Sequence, residues 1–351
     1  MAYTTIDKPS DYFNTLLYTG DGSTKTISGV GFQPDLVWGK GRNSDSAHLV
    51  TDSVRGATKT IYTNTTGAEV TSSTDNLTGF TSDGYTVNSA SNYNVNTRTQ
   101  VNWNWKAGGS ASSNSNGSIT SSVSASTDAG FSIVKYAGGG TNNDTTTVGH
   151  GLGVAPNFIS VKCINATGGW QTSSTSLGWN NVVRLENTSA KASGTYAFGV
   201  SGVTPSSTTF TVSASSGDNH TNTSGNDYIA YCFAEKKGYS KFGSYTGNGN
   251  ADGTFVYTGF RVGWVMIKRT NGTNGWYIYD STRDPINQNT KALLPAESDA
   301  EQDESGMDLL SNGFKLRNTD GSKNGSSNSY IYMAFAEAPF VNSNGVPNNA
   351  R

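Results

Sequence analysis

The chain has 351 residues, of which 34 % are hydrophobic and 14 % charged, and its formal net charge is −2. This length and hydrophobic content favour several modest cores over one large one. The mixed charges form no basic stripe for phosphates, and no stretch approaches 18 apolar residues, so we predict neither nucleic-acid binding nor membrane insertion. The N-terminal segment MAYTTIDKPSDYF also lacks the basic and apolar regions of a signal peptide.

One pattern occurs three times along the chain, and it predicts three related units. Each copy opens with Tyr-x-Gly-x-Gly, continues to an apolar run that ends in lysine, and closes on an aromatic strand. The opening tyrosines are Tyr18, Tyr136 and Tyr245, the lysines are Lys40, Lys162 and Lys268, and the closing strands surround Trp105, Phe233 and Phe335. A period of roughly 110 residues is too long for a solenoid repeat, so each copy is interpreted as a whole domain.

The elements predicted along each copy are short strands. Apolar residues alternate at period two or form runs of four to six, bounded by Gly, Asn, Asp and Ser. The predicted fold class is therefore all-β, with three tandem jelly-roll-like β-sandwich modules. We expect modules at residues 1–107, 128–237 and 238–340, each closing its own core, with a Ser/Gly/Asn-rich flexible or extended linker at 108–127 and a polar tail at 341–351. Modules in series would form a stiff rod.

The most specific local motif is Asp-Ser-x-Arg, which occurs as Asp52 to Arg55 and as Asp280 to Arg283. A carboxylate and a guanidinium at this spacing can form a bidentate pair that pins the turn after a strand. We interpret Asp52, Arg55, Asp280 and Arg283 as structural clasps, with a ligand-binding pair as the alternative. The second module has Ser174 and Leu177 instead, so one sandwich must close without the pair.

Tryptophans are the candidates for ligand binding, because an indole can stack on a sugar face. Trp170 and Trp276 lie eight residues after their lysines, where the first module has His48. Packing against the sheet is the other interpretation of these two residues. Trp179 lies in a Gly-Asn-rich turn and has no aromatic counterpart in the other modules, so it is the candidate for an exposed contact.

No pattern indicates a catalytic or metal site. The three histidines, His48, His150 and His220, do not pair by spacing with a nucleophile, and the acidic run from Glu297 to Glu304 is interpreted as a solvated loop. We therefore predict no enzyme activity, no cofactor and no metal. The two cysteines, Cys163 and Cys232, are interpreted as buried thiols, with a disulfide as the alternative.

Several segments carry a family resemblance. YTGDGSTKTISGVGFQPDLVWGKGR, TDSVRGATKTIYTNTTGAEV, GLGVAPNFISVK and YIYMAFAEAPF resemble repeat proteins encoded among the tail and structural genes of marine tailed bacteriophages. The resemblance covers the three modules and the linker, and it implies concanavalin-like jelly rolls in a tail fibre or appendage protein. It carries over no functional residue, because the family has no established motif for one.

These observations predict a non-enzymatic structural protein of a phage virion. The expected role is a tail fibre or tail-associated protein that attaches to host-surface glycans, assembled in the host cytoplasm and released by lysis. The alternatives are a capsid decoration or head-fibre protein and a glycan depolymerase spike. Expected partners are other virion proteins and further copies of the chain, with a trimer suggested by analogy alone.

Overall fold

The computed structural model describes residues 3–140, 145–199, 203–214 and 219–349. Antiparallel strands form nearly all of the regular structure in these ranges, beside one helix, α1 (Thr195–Phe198), and a 3-10 turn at Pro9–Asp11. The strands are arranged in several antiparallel sheets. The prediction of an all-β sandwich fold is confirmed.

The first module contains nine strands. They are β1 (Phe13–Thr19), β2 (Lys25–Ser28), β3 (Leu36–Gly41), β4 (Leu49–Asp52), β5 (Lys59–Tyr62), β6 (Val70–Thr71), β7 (Leu77–Thr81), β8 (Gly84–Val87) and β9 (Thr99–Trp105). One sheet, here called the inner sheet, has the order β1-β9-β3-β4-β5-β6, and the outer sheet has the order β2-β8-β7.

The second module has an inner sheet of order β10-β11-β12-β19-β14-β15 and an outer pair, β13-β18, with a further hairpin of β16 and β17. Its strands are β10 (Ser112–Asn114), β11 (Ser121–Ser126), β12 (Phe131–Ala137), β13 (Thr145–Gly149), β14 (Phe158–Cys163), β15 (Gln171–Ser174), β16 (Asn181–Val182), β17 (Ala192–Ser193), β18 (Thr209–Ser213) and β19 (Asp227–Phe233).

The third module has an inner sheet of order β20-β27-β22-β23 and an outer sheet of order β21-β26-β25-β24. Its strands are β20 (Ser240–Thr246), β21 (Phe255–Tyr257), β22 (Phe260–Arg269), β23 (Trp276–Asp280), β24 (Asn289–Ala292), β25 (Gln302–Leu310), β26 (Gly313–Leu316) and β27 (Ser329–Pro339). Residues from Gln302 onward, interpreted from sequence as a solvated loop, therefore begin a strand.

The three inner sheets share one strand order and one register. In each sheet, the closing strand lies between the opening strand and the strand that ends in lysine. The paired residues are Lys40 with Val101, Lys162 with Ile229, and Lys268 with Ile331. Equal register places equivalent side chains on equivalent faces, since side chains alternate along a strand.

Each inner sheet is buried on both faces. In β3, Leu36 and Trp38 belong to a cluster that we call the central core, whereas Val37 lies between them and joins the core of its own sandwich. The same alternation separates Trp264 and Met266 from Val265 in β22. Burial on both faces explains why these strands are continuous apolar runs in the sequence.

The central core is shared by all three modules, which contradicts the expectation of a rod of separate sandwiches. Trp105, Phe233 and Phe335, one from each closing strand, all belong to it. The Phe335 ring centroid lies 5.7 Å from that of Trp105 and 6.0 Å from that of Phe233. Large aromatic side chains on the second face of each inner sheet can be buried only against another module, so the modules surround one core.

The segment at 108–127 is not a free linker. Strand β11 pairs along its whole length with β12, and β10 pairs with β11, so the segment extends the inner sheet of the second module. At its start, the Asp35 carboxylate accepts hydrogen bonds from the backbone N–H groups of Ala107 (2.7 Å) and Gly109 (3.2 Å). A Ser-rich composition suggested flexibility, but backbone pairing does not require apolar side chains.

The tail is held in its described part, up to residue 349. Val341 and Pro347 form an isolated bridge, and the Asp7 carboxylate accepts hydrogen bonds from the backbone N–H and hydroxyl of Ser343. The Asn348 side-chain amide donates to the carbonyl of Pro339 at 2.8 Å. The segment after β27 therefore lies beside the segment that contains Asp7.

Candidate functional site

The two Asp-Ser-x-Arg motifs form buried ion pairs. Arg55 Nε lies 2.5 Å from an Asp52 carboxylate oxygen, and the same distance separates Arg283 from Asp280, with all four side chains fully buried. Burial lowers the pKa of Arg55, but its interactions with Asp52, Tyr231 and Glu69 together outweigh burial, so the net pKa is raised. Both arginines therefore stay charged inside the protein.

Each clasp also bonds to the next module, which the sequence did not reveal. The Tyr231 hydroxyl of the second module donates to Asp52 at 2.7 Å, and the Trp103 indole N–H of the first module donates to Asp280 at 3.0 Å. Tyr231 and Trp103 occupy the same register position of their closing strands. The clasps are thus contacts between modules as well as turn supports.

The second module lacks every charged part of this arrangement. Ser174 and Leu177 replace the acid and the arginine, and the register position of Tyr231 and Trp103 is filled in the third module by Met333. The outer ion-pair partners change as well: Arg55 binds Glu69 and Arg283 binds Glu301, whereas the matching position of the second module is Lys191. The loss is coordinated, since the acid and the arginine of the clasp are both replaced in the second module.

Lys191 is equivalent to Glu69 and Glu301, because the same backbone hydrogen bond occurs at all three interfaces. They run from Glu69 N–H to Ile164 C=O (2.8 Å), from Lys191 N–H to Thr270 C=O (2.8 Å), and from Glu301 N–H to Arg42 C=O (2.7 Å). Each bond joins a loop of one module to the residue two beyond the lysine of a neighbouring module. The three interfaces therefore have the same geometry.

The three lysines bridge the same interfaces through backbone carbonyls. Lys162 Nζ donates to Thr66 and Gly67 of the first module and to Gly168 of its own. Lys40 reaches Ser298 of the third module, and Lys268 reaches Thr188 of the second, at 3.1 and 3.4 Å. Burial lowers the pKa of each lysine to about 8.

Trp170 and Trp276 are buried at interfaces, which contradicts their interpretation as ligand-binding residues and agrees with the alternative interpretation that they pack. The Trp170 indole N–H donates to the Tyr62 carbonyl at 3.0 Å, and that of Trp276 donates to the Arg184 carbonyl at 2.9 Å. A buried indole N–H needs an acceptor, and a neighbouring module supplies it in each case. His48 is also buried, and burial lowers its pKa well below the usual range.

Trp179 is not an exposed contact either. Its side chain is 7 % exposed and packs edge-to-face on Phe198, with ring centroids 6.2 Å apart. Its rim reaches a surface depression of about 550 Å³ between Pro156 and Pro205. A glycine-rich turn suggested exposure, but the indole faces the core of the second sandwich.

Among the described residues, the exposed aromatic side chains lie on β21, outside the positions that the sequence singles out. Phe255 is 44 % exposed and Tyr257 is 50 % exposed, on either side of the buried Val256. Val256 pairs with Phe314, as Ile27 pairs with Tyr85 in the first module and Val148 with Phe210 in the second. The flanking residues there are Thr26 and Ser28, and Thr147 and Gly149. Comparison of the three strands would have singled out the aromatic pair.

One cavity lies within the central core. It has a volume of about 40 Å³ and is lined by side chains of all three modules, including Trp38, Tyr231 and Met266. Its lining is almost wholly apolar, so it offers no set of polar groups for a bound water or a specific ligand. In the described ranges, no group of three or more His, Cys, Asp or Glu residues could hold a metal ion.

A family model, a domain of unknown function named DUF7483, matches residues 8–339. The chain belongs to this family. The DUF7483 match begins ahead of β1 and ends with the last residue of β27, so one family domain corresponds to all three modules and their shared core. No curated protein and no solved structure matches the chain. Across the described part of this DUF7483 domain, no helix is long and apolar enough to span a membrane.

Proposed function

We propose that this DUF7483 domain is a non-enzymatic structural component of a tailed-phage virion, positioned as a tail fibre or tail-associated protein that contributes to host-surface attachment. A structural role is supported by what the repeated residues contact. The lysines, the interface tryptophans and the two clasps all bond across module boundaries, so these repeated residues serve to join the modules around one core.

The proposed attachment surface belongs to the outer sheets, where the modules differ. Phe255 and Tyr257 occupy positions that small residues fill in the other two modules, so the fold itself does not require aromatic rings there. Exposed aromatic rings in a pair supply a flat apolar surface of the kind that stacks on sugar rings. The tail assignment draws on the resemblance to marine phage tail proteins.

Particle localisation tests the structural proposal. Immunogold labelling or cryo-electron microscopy of the parent particle is expected to place the chain on the tail. Labelling on the head would replace the tail proposal by a head-fibre or decoration role, and absence from purified particles would overturn the virion proposal.

Cell adsorption tests the attachment proposal separately. Soluble protein is expected to bind susceptible cells and to reduce infection by competing phage. A chain that is present in the particle but neither adsorbs nor competes would retain only its structural role. Release of soluble oligosaccharide from host glycans by the purified protein would contradict the non-enzymatic assignment and support the depolymerase alternative.

A further inference from the structure

A polar pocket in the first module contains an arginine without a protein partner. The pocket, here called the Arg98 pocket, has a volume of about 350 Å³ and is lined by Arg98, Asp45, Ser46, Asn92 and Tyr62 around an apolar wall that includes Leu49. This volume lies in the range of small-ligand sites, which is roughly 300–1,000 Å³.

The Arg98 guanidinium makes no hydrogen bond or ion pair with any residue in the described ranges, and its Nε atom is buried. Burial lowers the pKa of Arg98. A guanidinium carries five N–H donors that cannot be neutralised by deprotonation, so its buried Nε–H favours an acceptor. Such a group is suited to an acceptor that comes from outside the chain.

The arginine is held in place although its charged end is free. A Cβ atom added to Gly41 would lie 2.5 Å from Arg98 Cδ and 2.7 Å from Ser46 Oγ. Glycine at this position lets the aliphatic part of Arg98 lie directly against the backbone beside Ser46. The side chain is thus positioned by packing, which reduces the entropy lost on binding a ligand.

The third module has an arginine at the equivalent site that is bonded within the protein. There the arginine is Arg269, at the position of Gly41, and the position of Arg98 is Asn328. Arg269 donates to side-chain oxygens of Asn271, Asn274 and Asn328 at 3.0–3.2 Å. The guanidinium of the third module is satisfied internally, whereas that of the first module is not.

We propose that the Arg98 pocket binds an acidic monosaccharide of the uronic acid class. The sugar carboxylate would accept a forked pair of hydrogen bonds from Arg98, which is the geometry that guanidinium groups favour. Asp45, Ser46 and Asn92 supply acceptors and donors for the sugar hydroxyls, and Leu49 and Tyr62 supply apolar surface for the ring. Asp45 disfavours a compact multivalent anion, because its carboxylate lies in the same pocket. The choice of a sugar rests on the proposed attachment function, whereas the anion site does not.

Calorimetric titration of the full chain tests the proposal with three probes: glucuronate, glucose and inorganic phosphate. We expect glucuronate to bind at least about tenfold more tightly than glucose or phosphate, a difference of about 1.4 kcal/mol. We expect Arg98→Gln to weaken glucuronate binding by about tenfold or more, and Arg98→Lys to restore part of it, since lysine keeps the charge but lacks the fork.

A control is Arg317→Gln, which removes an exposed arginine of the third module that is paired with Asp252 and Asp308 and should leave glucuronate binding unchanged. Arg98→Gln should unfold at the wild-type temperature, because the Arg98 guanidinium bonds to no described residue. Glucuronate binding that is absent, or equal in wild type and Arg98→Gln, would overturn the proposal. Phosphate binding as tight as that of glucuronate would overturn its sugar part. Glucuronate binding by a chain absent from the particle would contradict the virion proposal and leave the site intact.

Discussion

The clasp between the first and second modules offers a test of how the interfaces are stabilised. Replacing Asp52 by Ser leaves Arg55 buried with only Glu69 as an ionic partner, and it leaves the Tyr231 hydroxyl without its acceptor. Breaking a buried ion pair by removing one partner costs about 3–5 kcal/mol. We therefore expect Asp52→Ser to lower the free energy of unfolding by about this amount, measured by urea denaturation with tryptophan fluorescence.

The chain itself supplies the matched control, because the second module closes without a clasp. A variant that carries Asp52→Ser, Arg55→Leu and Tyr231→Met introduces the residue types of that interface as a set and leaves Glu69 paired with Lys59. Removing both partners of a buried ion pair together is often nearly neutral, so we expect this threefold variant to lose less than about 2 kcal/mol. The reasoning would be refuted if Asp52→Ser cost under about 1 kcal/mol, or if the threefold variant were less stable than the single one.

Three further predictions follow from burial. The free energy of unfolding should rise between pH 8 and pH 10, because Lys40, Lys162 and Lys268 have a folded pKa of about 8 against 10.5 in the unfolded chain. The unfolded chain therefore binds more protons in this range. Lys162→Met should remove about a third of the slope, and a flat profile would contradict the prediction. Replacing Phe255 by Thr and Tyr257 by Ser should change stability by less than about 0.5 kcal/mol yet reduce adsorption to host cells, whereas unchanged adsorption would remove the pair from the attachment surface. Cys163 and Cys232 are buried free thiols and should react with a thiol reagent only after unfolding, so rapid reaction in native buffer would disprove their burial.

The interface between the second and third modules differs from the other two. It keeps the lysine bridge and the interface tryptophan but not the clasp. Two interfaces with a clasp and one without make the three contacts chemically distinct, so a module that exchanged its neighbours would leave a buried clasp carboxylate without its inter-module donor. Three-fold order, expected from sequence only between chains, is present within one chain.

The candidate site was only partly predictable from the sequence. The spacing of Asp52 and Arg55 predicts their pairing, because residues three apart at a strand end meet within one turn. Their bonds to Tyr231 link positions 176 to 179 residues apart, and no local pattern reports such contacts. The sequence likewise leaves open whether Trp170 binds a sugar or packs, because a local pattern does not show which module covers an aromatic side chain.

The sequence by itself determined the class of the fold, because strand periodicity, turn residues and the threefold motif are local properties of the chain. The sequence also contains continuous apolar runs such as Trp264 to Ile267, which are typical of strands that are buried on both faces. What lies against the second face of each inner sheet depends on the tertiary structure. The modules close on one another because aromatic residues such as Trp105 and Phe335 are removed from water only when all three inner sheets meet.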